Sequence, residues 1–245
     1  MAVDARRSPL GAPKFSYSGS ELDALAEAKN YYRWLTGQFA PWLGNSVIEV
    51  GAGIGTFSQQ ILGVPSVKRL VALEPARNTF PHLERRFAGD PRVTTTRAYL
   101  EPTLKLEPAD SLVAVNVMEH IEDHDSFVAN AYASVVKGGA LLLYVPATPS
   151  IFGTLDTAFG HFRRYTKRSL RACIERAGWT IERLSYVNMP GVLAWFLAGR
   201  VLKKKAISTR EAMFYDRVVV PWVFRLESIV EPPAGQSLIA IASKK

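Results

Sequence analysis

A single cysteine, Cys173, excludes an internal disulfide framework; it reads as a packing residue in a chain suited to a reducing compartment. Long hydrophobic runs are also missing. The longest in the C-terminal half, Met189 to Ala198, is interrupted by Pro190 and Gly191 and falls short of the ~20 apolar residues a bilayer span needs. No internal repeat is present. Low complexity is confined to residues 1–20, which are rich in Ser, Gly, Pro and charge and read as a disordered tail with no secretory signal. No dense basic tract is interleaved with aromatics, as strand-binding surfaces require. The net charge of +8 therefore reads first as solubility charge, and nucleic acid is not the expected partner. The expected location is the cytoplasm.

What is present is ordinary for a globular fold: 245 residues, 48% hydrophobic and 21% charged, enough for one well-buried domain over 21–245. Residues 21–39 carry apolar positions at helical spacing, with Ser20 as N-cap and Pro41 and Gly44 as stops. The pattern then alternates. Strands are expected at 46–50, 69–73, 92–96, 111–117 and 140–145, with helices near 56–62, 77–87 and 125–136, the last closed by Lys137-Gly138-Gly139. A helix at 167–177 and a strand at 180–187 follow. Residues 190–230 read as a helical insertion, about 190–233, before a last strand at 237–242. Alternating strands and helices, with strands apolar on both faces, predict a mostly parallel sheet covered by helices, with ligands at the strand C-terminal ends.

The segment Val47-Ile48-Glu49-Val50-Gly51-Ala52-Gly53-Ile54-Gly55 carries the most information. Glycines after a buried strand allow a tight turn and let backbone approach a ligand. Dinucleotide sites use G-x-G-x-x-G, with pyrophosphate on the helix N-terminus. Here the spacing is G-x-G-x-G and Glu49 precedes the loop. A carboxylate there repels pyrophosphate and suits a cofactor with an ammonium group. Glu74 ends the second strand, 23 residues after Gly51, where a carboxylate accepts hydrogen bonds from both ribose hydroxyls.

VIEVGAGIG, then ALEP, then NVMEHIEDH, then KGGALLLYVP resembles the class I S-adenosylmethionine (SAM)-dependent methyltransferases of the ubiquinone/menaquinone-biosynthesis type, over about residues 30–170 and the final strand. The resemblance implies a Rossmann-like α/β fold whose seven-stranded sheet has an antiparallel last strand, and SAM lying over the glycine loop. By position, Glu49, Gly51, Ala52 and Gly53 would meet the methionyl part, Glu74 the ribose, and Pro75 the adenine. Asn116, Val117 and Met118 would lie beside the cofactor, and Tyr31 on the first helix would fold over it. Many relatives bind the adenine amino group with an aspartate after the third strand. This chain has none there, so Ala98 and Tyr99 backbone groups stand in.

Two clusters face the expected acceptor side. Glu119-His120-Ile121-Glu122-Asp123-His124 follows the fourth strand, and His120 is a candidate base beside Glu119. The His120–His124 spacing lacks an evident third ligand, so no metal is expected. The second cluster, Asp156 and then Gly160-His161-Phe162-Arg163-Arg164-Tyr165, resembles a GHxRRY segment of some of these enzymes. His161 and Tyr165 are candidates for orienting or deprotonating a nucleophile, Arg163 and Arg164 for clamping an anion, and Asp156 for the substrate side or for an ion pair holding a lid. Trp195 would line an apolar substrate pocket if 190–230 is a cap; its alternatives are a membrane contact through 190–205 or a dimer interface.

The sequence thus points to methyl transfer onto a small molecule, O-directed with N- or C-methylation as alternatives, with a quinone-like, natural-product or lipid-linked acceptor, in a monomer or homodimer. Against an NAD-dependent oxidoreductase stand the loop spacing and Glu49. Against a nucleic-acid methyltransferase stands the lack of an N/D-P-P-Y/F motif, since Asn116 is followed by Val-Met-Glu. A non-catalytic SAM-binding module is the remaining alternative.

Overall fold

Strand β1 (Ser46–Val50) buries four of its five residues, as does β2 (Arg69–Leu73), and β7 (Ser237–Ser243) buries six of seven. Strands apolar on both faces must be covered on both faces. The computed structural model, which describes residues 15–17 and 27–245, meets that demand with one seven-stranded sheet, ordered β3-β2-β1-β4-β5-β7-β6. The remaining strands are β3 (Val93–Thr96), β4 (Ala109–Val115), β5 (Val135–Pro146) and β6 (Thr180–Val187). All pairings among β1 to β5 are parallel, and β7 lies antiparallel to both β5 and β6. This is a Rossmann-like α/β fold, with its antiparallel strand last in the chain.

The two-residue period of the strands divides the core. On one face Leu141 and Leu143 pack with Phe127 and Val128 of α4 (His124–Ala133) and with Leu170 and Ile174 of α6 (Lys167–Arg176). On the other, Leu142 and Tyr144 pack with Leu35 and Phe39 of α1 (Lys29–Phe39), Phe57 and Ile61 of α2 (Thr56–Leu62), and Leu83 of α3 (Phe80–Arg86). The order of strands reverses between β1 and β4. Connections there leave in opposite directions and open a crevice at the strand C-termini, where α/β folds hold ligands.

Three local expectations shift. The helix expected at 77–87 begins only at Phe80, with Pro81 in its first turn, because Arg77 and Asn78 instead hold the chain start. The Arg77 amide donates to Phe15 O at 2.8 Å, and Asn78 exchanges two bonds of 2.9 Å with the Tyr17 backbone. So residues 15–17 of the expected tail are seated on the body; the rest of that tail, the Ser20 cap and residues 21–26 lie outside the described residues. The helix expected to run to residue 136 ends at Ala133. Val135 pairs with Ala109, and 136–139 bulge, with Gly138 at φ +83°, before pairing resumes at Ala140.

Between β6 and β7 the chain is helical: α7 (Met189–Phe196) running into a π turn (Leu197–Val201), then α8 (Thr209–Phe214), a second π turn (Tyr215–Val219) and α9 (Val220–Glu227). The short α5 (Thr154–Phe159) lies against its first half. Its second half docks on α1 by stacking Phe224 on Trp34, ring centroids 3.5 Å apart and planes 7° apart.

Re-entry into β7 leaves no room. A Cβ on Gly235 would stand 2.2 Å from Val187 O and 2.6 Å from Val187 N, whereas one on Gly37 of α1 would meet nothing within 4 Å. Gly235→Ala is expected to cost about 3 kcal/mol in urea unfolding, and Gly37→Ala to stabilise by up to ~1 kcal/mol. Equal midpoints for the two variants would contradict this packing.

Candidate functional site

A cleft of about 1550 Å³ opens at the C-terminal ends of β1, β2, β4 and β5. Its floor is the loop after β1. Gly51, Gly53 and Gly55 have φ of +72°, +58° and +83°, which side chains rarely adopt, and a Cβ on Gly51 would lie 2.5 Å from Val117 Cγ2. Backbone is thereby bared toward the cleft, a cradle that any larger residue would fill.

Two carboxylates underlie this floor. Glu74 ties it to β2: Oε2 accepts from Gly53 N at 2.7 Å and Oε1 from Ala76 N at 2.8 Å. Burial raises its pKa, and these amide bonds work in the opposite direction. The Thr79 side chain bonds Glu74 as well, and a carboxylate, with about four acceptor sites, keeps capacity for a ligand. Glu49 is 3% exposed and accepts from Ser58 Oγ at 2.5 Å. Burial pushes its pKa up to about 7; the Ser58 bond lowers it and the Glu74 charge raises it further. A buried carboxylate so raised is a site that a positive ligand group would relieve, which fits the ammonium of SAM.

Pro75, Ala98 and Tyr99 line the edge beyond Glu74, and Tyr31, Ala52, Asn116 and Val117 line the opposite side. Asn116 holds φ +53° at the end of β4, its amide bonded to Tyr144 O at 2.8 Å, and its side chain bonds Tyr31. Met118 is fully buried beneath the site and does not line it.

Across the cleft, the 153–165 loop is built on Asp156. Its side chain is fully buried and meets four donors: Oδ1 bonds His161 Nδ1 at 3.0 Å and Arg164 Nε at 2.7 Å, and Oδ2 bonds Gly153 N at 2.9 Å and Trp195 Nε1 at 3.0 Å. Burial alone would raise its pKa; these partners hold it below the usual carboxylate range. Arg164 continues to Ala147 O at 2.8 Å and lies over the Trp195 ring.

His161, Arg164, Trp195, Glu119 and His120 all line the cleft. The imidazoles of His120 and His161 stand edge to face with centroids 4.9 Å apart. They differ chemically. Burial, with the neighbouring His161 second, pushes His120 down to about 3, so it is a neutral ring at physiological pH and a poor base. His161 has a carboxylate on Nδ1, which fixes its tautomer and leaves Nε2 for the cleft.

Several expected site residues are elsewhere. Tyr165, expected to act on a nucleophile, is 1% exposed, and its hydroxyl bonds His124 Nδ1 at 3.0 Å and Met118 O at 3.2 Å; burial raises its pKa and it does not line the cleft. Arg163, expected as an anion clamp, instead donates to Ile121 O and Glu122 O, latching the loop after β4. Asp156 is behind the lining rather than in it. The expectation of no third ligand beside the histidines also changes: donor atoms of Glu119, His120 and His161 lie within 4.8 Å of one another, while His124 groups with Asp125 and Cys173. The Arg164 guanidinium acts on Glu119, so a fixed positive charge already serves that carboxylate.

Two contributors carry no sequence signal. Tyr17 packs edge-on against His120 at 5.9 Å. Asp216, 4% exposed, caps α1 from 185 residues away, taking the amides of Tyr31 at 2.8 Å and Asn30 at 3.2 Å.

With this geometry in place, comparison with known proteins decides the family. Residues 21–184 match the family described as methyltransferase domain. The chain belongs to that family. It is 28% identical over 142 residues to a probable S-adenosylmethionine-dependent methyltransferase of Mycolicibacterium smegmatis, an alignment covering 57% of this chain and 53% of that protein. The chain thus spans about half the length of this curated relative. Among solved structures, it superposes on the N-methyltransferase NodS of Bradyrhizobium japonicum, bound to S-adenosylhomocysteine (SAH), with TM-score 0.59 at 13% identity, covering 92% of this chain and 91% of that one. It also superposes on an S-adenosylmethionine-dependent methyltransferase of Mesorhizobium loti (TM-score 0.59, 13% identity, 85% and 95% covered) and on the [4+2]-cyclase SpnF (0.58, 13%, 96% and 99%). At these identities the structures share the fold with this methyltransferase-domain chain.

Asp156→Asn removes the charge opposite a guanidinium that is itself buried. The variant is expected to lose about 3–5 kcal/mol by urea or thermal unfolding, whereas Arg163→Gln, at a half-buried latch to two carbonyls, is expected to lose under ~1.5 kcal/mol. Similar losses in both would remove Asp156 from the centre of this loop.

Proposed function

We infer that this chain transfers the methyl group of SAM to a small-molecule acceptor, at a hydroxyl whose proton passes to His161. The observation that carries the reading is the Asp156–His161 pair lining the same cleft as the glycine loop and Glu74. When bound, SAM supplies a methyl group made electrophilic by its sulfonium. The protein supplies alignment and proton handling. Gly51, Ala52 and Gly53 take the methionyl part with Glu49 at its ammonium. Glu74 takes the ribose, and Pro75, Ala98 and Tyr99 flank the adenine. Tyr31, Asn116 and Val117 close over the cofactor.

Asp156 holds His161 with Nδ1–H toward its carboxylate, so Nε2 is the acceptor for the hydroxyl proton. His120, neutral and edge-on against it, positions rather than titrates. Phe159 and Trp195 give the acceptor side an apolar wall, which favours a quinone-like, natural-product or lipid-linked body over a charged one. The ubiquinone type, O-selectivity and a cytoplasmic monomer or homodimer belong to this same proposal. A second reading, SAM binding with different or no chemistry, is favoured by one observation: the fold is shared with a [4+2]-cyclase.

Calorimetric titration with SAM, SAH and NAD tests the cofactor half. SAM and SAH are expected to bind, NAD not, and Glu74→Ala to weaken SAM binding by about ten- to a hundredfold, the loss of a charged hydrogen-bonding partner. Glu49 adds a pH dependence with a definite sign. Its raised pKa means that it is protonated below about pH 7 in the free protein and must ionise to meet an ammonium. SAM affinity is therefore expected to fall toward about tenfold per unit as pH drops below 7, and Glu49→Gln to flatten that slope. NAD binding in place of SAM would move the chain to the oxidoreductases.

The catalytic half is tested by His161→Ala, expected to lower kcat on an accepted hydroxyl substrate by about 10²–10⁴ while SAH affinity stays within twofold or so. Unchanged kcat would leave alignment alone as the protein's contribution.

A further inference from the structure

The helices between β6 and β7 have two unlike faces. Their inner faces line the cleft through Ala194, Trp195 and Ala198 and through Ala212, Tyr215 and Val220. Their outer faces are apolar and bare. Leu193, Phe196, Leu197 and Val201 are 63%, 39%, 43% and 56% exposed at helical spacing. Phe214, Val218, Trp222 and Leu226 recur at steps of four and are 64%, 50%, 70% and 67% exposed, and Ile229 and Val230 extend the stripe. Single exposed apolar residues are ordinary; two continuous stripes on consecutive helices mark an interaction surface.

The charge around the stripes says what covers them. Residues 189–230 hold seven Lys and Arg against three acids. Each acid is already engaged: Glu211 by Lys204 and Ser208, Asp216 by the α1 amides, and Glu227 by the amides of Asn188 and Met189. Lys203, Lys205, Arg210, Arg217 and Arg225 are exposed. A second copy of the chain would bring these cations against their own equivalents across a two-fold interface. No helix among the described residues is long and apolar enough to cross a membrane. Apolar stripes too short to span and fringed by cations fit the headgroup boundary of an anionic bilayer.

We propose that 189–230 is a membrane-docking face that lays the cleft against an anionic lipid surface, so that the acceptor is a molecule with an apolar tail held in that bilayer. Docking stands on the stripes and charges alone; the assignment of the tailed molecule as acceptor rests on the methyltransferase reading. Trp195 and Ala198 inside, with Leu197 and Val201 outside on the same helix, put the acceptor wall one helix thickness from the lipid.

The full chain would be sedimented with phosphatidylcholine vesicles made with and without phosphatidylglycerol, beside Leu197→Gln/Trp222→Gln and Lys203→Gln/Lys205→Gln, with SAH affinity and light scattering measured on each. The expected result is binding to the phosphatidylglycerol vesicles, weakened about tenfold or more by omitting that lipid, by raised salt or by either double variant, with SAH affinity unchanged. A chain that stays in the supernatant with both vesicles overturns the proposal. So does a concentration-dependent dimer that Leu197→Gln/Trp222→Gln dissolves, which would give the stripes to a second copy. Vesicle binding without SAH binding upholds docking and overturns the methyltransferase reading instead.

Discussion

Asp156 is a fully buried charge whose cost is offset only by the donors gathered on it. Taking a carboxylate out of water costs several kcal/mol, and one partner would not suffice. Here a guanidinium, an imidazole, an indole and a backbone amide converge, from the N-cap of α5, the loop after it and α7. The position of each follows from the others. Arg164 cannot leave without stranding Asp156, and Trp195 is held both by its indole N–H and by the guanidinium over its ring. The wall of the cleft that carries His161 and Trp195 is fixed by this one charge in the way its floor is fixed by three glycines with positive φ.

Carboxylates appear in three different states around the cavity. Asp156 is kept ionised by its partners. Glu49, with only a serine hydroxyl to oppose burial, sits near neutrality in its titration. Glu74 lies between, supported by two amides. The difference is in the donors supplied rather than in the depth of burial. A site with one carboxylate left under-compensated at its floor is arranged to gain from a cationic ligand, and one fully compensated at its roof is arranged to hold a side chain still.

The parallel sheet, its glycine loop and the acids at the ends of β1 and β2 were legible in the sequence, because each is local: an apolar run, a spacing of glycines, a carboxylate at a strand end. The helical segment before β7 was legible for the same reason. Burial direction was not. The GHxRRY run reads as four functional groups, yet the folded loop turns His161 and Arg164 to the cleft and Arg163 and Tyr165 away from it. Nor does sequence place Glu119, His120 and His161 together, since two loops 40 residues apart must meet. Tyr17 and Asp216 were invisible for the same cause.

The cap supplied by Asp216 has a consequence for how the molecule opens. The first amides of α1, among them that of the cleft-lining Tyr31, are satisfied by a residue of the helices before β7 and not by a side chain of their own flank. Lifting those helices would strip α1 of its cap, at about 1 kcal/mol, and would separate Phe224 from Trp34 as well. α1 and the helices between β6 and β7 are thus latched by a common bolt. Any motion that parts the two must therefore break the cap and the aromatic stack together.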